Sequence, residues 1–194
     1  MKRILLFSTS FLILVACSDG ASKISNRTPK GNPNAAVVVT EYSDFQCPAC
    51  RATHFSISGP IIEEYGNTIR FDHMHFPLRS IHRYALDAAE ASECAADQEK
   101  FWEYVDIMFE NQEEMNPDAF STWAEQLNLD TVVFNKCKKS HAKRDIVLED
   151  YKKGRDIGVG GTPSFFVNGK PVQSGFDTLS EAIDAEVQRL TQRL

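Results

Sequence analysis

"DFQCPAC", residues 44–50, places Cys47 and Cys50 three positions apart with Pro48 and Ala49 between them. The spacing admits three chemistries: a pair of metal ligands, a structural staple, or a redox couple that exchanges with other proteins. A structural zinc site needs four ligands. His54, four residues after Cys50, would be a third, but the chain has no second CxxC. His54 reads instead as a helix-surface residue. What flanks the pair has to decide between the readings.

Upstream, "AAVVVTEYSDF", residues 35–45, opens with a β-branched run and reads as a buried central strand. Pro48 suits a first helical turn, so a helix starts at the CxxC. Gly59-Pro60 should kink or break it before "IIEEY", and Gly66-Asn67 should end it. "TIRFDHMHF", residues 68–76, alternates and puts Ile69, Phe71, His73 and His75 on one face of a second strand. From about 82 to 157 the chain reads as helical. Asn116-Pro117-Asp118 and Asp130 mark helix starts there. Phe101, Trp102, Tyr104, Phe109, Phe120 and Trp123 recur at helical spacing and read as core. "PSFFVNGKPV" carries Asn168-Gly169 between two apolar runs, a hairpin signal. The chain then closes on an amphipathic helix with Leu179, Ile183, Val187 and Leu190 on its apolar stripe.

The chain has 194 residues, 42% hydrophobic and 25% charged, with a net charge of −6. That is ordinary composition for one globular domain, with no basic stripe for nucleic acid. The basic cluster "KCKKSHAKR" at 136–144 reads as a solvated helix face. Lys2 and Arg3 precede an apolar run from Ile4 to Val15. This is too short to cross a bilayer comfortably and suits a signal peptide, residues 1–16. It ends in "LVAC", which resembles the lipobox of bacterial lipoproteins and would mark Cys17 for lipidation; the bland alternative is an ordinary cleaved signal with a chance cysteine. Residues 17–34 are polar and rich in Gly, Asn and Pro, and read as a lipid anchor with a flexible tether. The domain proper spans 35–194 and faces an oxidising space.

The order β, α, β, helical block, hairpin, α resembles an α/β thioredoxin fold with an inserted helical subdomain. The closer resemblance is to the DsbA-like family of extracytoplasmic thiol–disulfide oxidoreductases. It is carried by "GNPNAAVVVTEYSDFQCPAC", "FPLRSIH", "AAEASECAADQEKFWEY" and "GVGGTPSFFVNG", and runs from about 31 to 190. Disulfide exchange needs a thiolate, and a helix N-terminus favours one through its free N–H groups and dipole. Cys47 is therefore the expected exposed attacker and Cys50 the resolving thiol. Pro48 rigidifies the turn. Strong oxidants of the family carry His where this chain has Ala49, so the resemblance implies an oxidising but milder couple.

The same resemblance implies a cis Thr162–Pro163 bond beside the sulfurs, with the Thr162 backbone pairing with an extended client segment. The bland alternative is an ordinary turn. Glu41 lies in the apolar strand, where a carboxylate is costly without a partner or a task. It either points to solvent at the strand's end or, as the family implies, relays a proton to Cys50. Cys94 and Cys137 remain. They form a structural bridge, as in some relatives, or two buried thiols, or a second redox pair. No bound cofactor or metal is needed. The implied partners are reduced or unfolded secreted proteins and a membrane protein that re-oxidises a monomeric, lipid-anchored enzyme. Two rivals stand beside this oxidase: a reductase or isomerase using the same site, and a binding lipoprotein without turnover.

Overall fold

The computed structural model describes residues 24–192. Residues 1–16, the Cys17 lipidation site and the first part of the expected tether lie outside them. Five strands form one sheet: β1 Lys30–Gly31, β2 Val37–Ser43, β3 Ile69–His75, β4 Ser164–Val167 and β5 Lys170–Val172, in the order β1-β3-β2-β4-β5. β2 is central, parallel to β3 and antiparallel to β4. The β-branched run at 37–39 accounts for this placement, because a strand covered on both faces needs apolar side chains at nearly every position.

Register sorts the side chains. Val37, Val39, Glu41 and Ser43 pair with Ile69, Phe71, His73 and His75, and all eight are buried. That face packs against α2 Gly59–Tyr65 and α8 Phe176–Thr191, through Ile61, Leu179 and Ile183. The opposite face carries Tyr42, Phe76 and Phe166 and packs with Tyr151 of α7 Arg144–Asp156. Gly154 lets α7 come close, since a Cβ there would stand 2.8 Å from both the Tyr42 and Phe76 rings.

α1 Pro48–Thr53 begins at the CxxC. Of the kink or break expected at Gly59-Pro60, the break does not occur. A π turn at His54–Ser58 carries α1 directly into α2, with Gly59 N–H donating to His54 O. Pro60 has no N–H to close an ordinary turn, and the wider turn just before it absorbs that loss.

Between β3 and β4 stand α3 Ala85–Ala96, α4 Phe101–Glu110, α5 Pro117–Gln126, α6 Thr131–Lys139 and α7. Asn116 and Asp130 cap α5 and α6, each side chain accepting from two backbone N–H groups. All six aromatic residues assigned to the core are buried. Cys94 of α3 and Cys137 of α6 are joined, sulfur to sulfur, at 2.02 Å. The hairpin turns on Asn168 and Gly169, both at positive φ (46° and 76°).

The reading of 17–34 as a free tether needs correction for residues 25–34. Arg27 bridges Glu93 and Asp150, Trp102 Nε1 donates to Thr28 O at 2.8 Å, and Lys30–Gly31 adds a strand to β3. A polar segment can dock without an apolar face when buried charges await it.

Candidate functional site

β2 delivers the chain to the top of the sheet, and residues 44–47 turn it into α1. The turn is held from both sides. Cys47 N–H donates to Asp44 O at 3.0 Å, and Asp44 Oδ1 accepts from Gln46 N–H at 2.8 Å. Asp44 Oδ2 accepts from Leu78 N–H and pairs with His82 Nδ1, each at 2.8 Å. Gln112 Nε2 donates to the carbonyls of Phe45 and Cys47, and Arg51 Nε donates to Phe109 O. The helical insertion thus clamps the active turn.

Cys47 is the N-cap of α1, with extended backbone (φ −79°, ψ 121°), and Pro48 fills the first turn. Cys47 and Cys50 are free thiols, 7% and 0% exposed. The expectation of an exposed attacker is thus corrected: Cys47 is more accessible than Cys50 but is itself buried, with Thr162 of the loop before β4 against it. Its Sγ lies 3.6 Å from Thr162 O. The Thr162–Pro163 bond is cis, as the resemblance implied, and Thr162 O is the atom that faces Cys47 Sγ.

The two sulfurs are electrostatically unlike. The Cys50 thiol, donating to Cys47, lowers the Cys47 pKa from 9.0 to about 5 against the opposing effect of burial. The Cys50 and Ala49 N–H groups and the Thr162 hydroxyl add to this. Burial pushes the Cys50 thiol strongly upward, and its donation to Cys47 reinforces the rise. Asp44 N–H, 3.5 Å from Cys50 Sγ, opposes it. One thiolate and one thiol are therefore held side by side, which is the protonation state a nucleophile and its resolving partner need.

Glu41 points inward, 3% exposed, and its Oε2 accepts from Ser58 Oγ at 2.9 Å. Burial raises its pKa from 4.5 to about 7, while Ser58, His54 and Ser43 pull the other way. A cleft of about 200 Å³ opens beside it, lined by His54, Ser58, His73, Trp102 and Asp106. His54 is less of a surface residue than its position suggested: its Nε2 pairs with Asp106 at 2.8 Å and its side chain is 15% exposed. Ala49 contributes its backbone N–H to the Cys47 thiolate. Among the described residues no group of three or more His, Cys, Asp or Glu is placed to hold a metal. Cys94 and Cys137 lie within the insertion, on α3 and α6.

Sequence reasoning missed Asp44 and Gln112. Asp44 carried a signal only in its place, three residues before Cys47 in the turn that leads to the helix. Gln112 carried none, because its partners lie 67 and 65 residues away.

A thiolate at a helix N-cap, a buried thiol one turn on and a cis-proline loop across them define a thiol–disulfide exchange site. A thioredoxin family model matches residues 25–185. The chain belongs to that thioredoxin family, and its fold, with the helical insertion, is that of DsbA-like thiol–disulfide oxidoreductases. It is 28% identical over 175 residues to the probable disulfide bond formation protein D of Bacillus anthracis, covering 85% of this chain and 80% of that one. The oxidised structure of BdbD from Bacillus subtilis superimposes with a TM-score of 0.74 at 21% identity, over 84% of this chain and 94% of that one. The chain is also 34% identical over 158 residues, 81% of its length, to the Na(+)/H(+) antiporter NhaA 3 of Salinispora tropica, of which it spans only 24%. Among the described residues no helix is long and apolar enough to cross a membrane.

Proposed function

We propose that this protein is an extracytoplasmic disulfide oxidase that passes the Cys47–Cys50 disulfide to secreted or envelope proteins. The observation that carries the reading is the split between the sulfurs: a thiolate-favouring Cys47 beside a protonated, buried Cys50. Stabilising the reduced form in this way makes the disulfide a better oxidant. Ala49 adds neither charge nor a side-chain donor, so the couple is milder than the strongest oxidants of the family.

A client thiolate attacks Cys47 Sγ, and Cys50 leaves and takes up a proton. A second client thiolate then attacks the client's own sulfur, closes the client disulfide and expels Cys47 as thiolate. The client loses two electrons and the enzyme gains them. A membrane protein carrying a disulfide re-oxidises the pair by the reverse exchange. Thr162 offers its main chain to an extended client segment next to the cis-proline. Glu41, buried on the strand that leads to the cysteines, exchanges the Cys50 proton. Cys94–Cys137 serves as a structural bridge within the insertion. Lipidation at Cys17 anchors the domain to a membrane, with residues 18–24 as the link to the docked segment. The enzyme acts as a monomer.

Titration of Cys47–Cys50 against glutathione tests the direction. The expected potential is clearly more oxidising than that of thioredoxin, about −270 mV. A value at or below that level replaces the oxidase with a reductase using the same site.

A further inference from the structure

Ser43 ends β2 on the face it shares with Glu41, two positions before it. It also directly precedes Asp44, whose N–H reaches Cys50 Sγ at 3.5 Å. The Ser43 hydroxyl is fully buried and has no hydrogen-bond partner at standard geometry. A buried hydroxyl left unpaired costs about 1–3 kcal/mol, so its retention asks for a reason. The same oxygen lies beside both the Glu41 carboxyl and the Cys50 thiol and helps to stabilise the anion of each.

We propose that the Ser43 hydroxyl carries the proton between Cys50 and Glu41. This deepens the reading in which Glu41 exchanges the Cys50 proton, and rests on it. A hydroxyl has one proton to give and two lone pairs to receive one, so it can pass a proton without holding a charge. During re-oxidation Cys50 S–H gives its proton to Ser43 Oγ while Ser43 O–H gives its own to the Glu41 carboxylate. The Cys50 thiolate then attacks Cys47 Sγ, the new S–S bond forms, and the partner's sulfur leaves as thiolate with the electron pair of the broken bond. When a client attacks Cys47, the protonated Glu41 returns the proton along the same path.

Of the other groups, Thr162 Oγ1 is also buried and unpartnered and acts on Cys50, but Glu41 feels Ser58, His54 and Ser43 and not Thr162. Ser58 Oγ already donates to Glu41 Oε2. His54 faces the cleft, paired with Asp106, and His75 Nε2 is paired with Glu93. Burial, with His75 and Arg27 nearby, keeps His73 neutral.

The test isolates the Cys50 step. Oxidised glutathione forms a mixed disulfide at Cys47, and stopped-flow kinetics follow its release by Cys50 in water and in heavy water. Ser43→Ala, whose methyl also excludes water, should slow release about a hundred-fold, at the low end of what general acid–base catalysis contributes. Ser43→Gly leaves room for a water and should recover most of the rate. The Cys47 thiolate titration should stay where it is in both variants. Wild-type release in Ser43→Ala, with slow release in Glu41→Gln, overturns the Ser43 relay and leaves Glu41's role intact. Equal slowing in Ser43→Ala and Ser43→Gly, with an unchanged solvent isotope effect, assigns Ser43 to packing and also overturns it. Unchanged release in Glu41→Gln removes the Glu41 reading itself.

Discussion

The side-chain amide of Gln112 donates to the carbonyl of Cys47 at 3.0 Å, and to that of Phe45 at 2.8 Å. The nucleophile's backbone is therefore fixed by the insertion and not by the thioredoxin core alone. Arg51 N–H also reaches Cys47 O, at 3.1 Å, whereas Phe45 O takes its hydrogen bond from Gln112. Gln112→Leu removes that donor and leaves a buried carbonyl unpaired, a loss of about 1–3 kcal/mol. The urea midpoint should fall accordingly. The Cys47 titration should move upward as the turn loosens. A variant with unchanged stability and an unchanged thiolate absorbance curve would show that the clamp has no hold on the sulfur.

The depressed Cys47 pKa makes stability depend on redox state and pH together. The folded reduced protein titrates at about 5 and the free thiol at 9.0. Between those values the unfolded chain binds the extra proton, so the reduced form gains stability as pH rises and loses it as pH falls through 5. The disulfide form has no such group, while Glu41 and the surface carboxylates are common to both. The melting temperature of the reduced form minus that of the oxidised form should therefore grow from pH 5 to pH 8. Parallel melting curves across that range would contradict the thiolate.

Much of this site was legible because its chemistry is local. The cysteine spacing, Pro48, the β-branched run at 37–39, the caps Asn116 and Asp130 and the Asn168-Gly169 turn act within a few residues. Cys47 landed on an N-cap because Pro48 favours a first turn. The docked segment was not legible. Ser25–Gly31 is polar, and what orders it lies 66 residues away at Glu93 and 123 away at Asp150. The π turn was hidden for another reason. Gly59-Pro60 weakens any helix, and only the packing of α2 on the sheet decides that the helix continues through it.

Glu41 stores an instability that its substitution should release. Its pKa is raised from 4.5 to about 7, so the folded protein holds a proton that the unfolded chain gives up between those values. Stability attributable to this group is complete below pH 4.5 and falls as pH rises to 7. Glu41→Gln lacks the charge and the fall. The variant should be more stable than the parent at pH 8, by up to about 3 kcal/mol, with the gain fading to nothing near pH 4. Denaturant midpoints at the two pH values check this. An equal effect at both would mean that Glu41 is ionised throughout.

Arg27 supplies the last test, of the docked segment. Its guanidinium is 11% exposed and bridges Glu93, fully buried, and Asp150, 6% exposed. Burial works against the Glu93 anion, yet the His75 hydrogen bond and the Arg27 charge, with Ser25, bring its pKa down to about 2. A carboxylate depressed in this way contributes stability above pH 4.5 that is lost as pH falls toward 2. Arg27→Met keeps the length of the side chain but takes the guanidinium from two buried carboxylates, which keep their His75 and Ser25 hydrogen bonds, and breaking such a network costs up to about 3–5 kcal/mol. The acid-unfolding midpoint should rise, because Glu93 then protonates more readily. The backbone at Lys30–Gly31, protected in the parent by pairing with β3, should become a tryptic site. If the variant keeps both its acid midpoint and its resistance to trypsin, the segment is held by its strand and by the Thr28–Trp102 contact rather than by the buried charges.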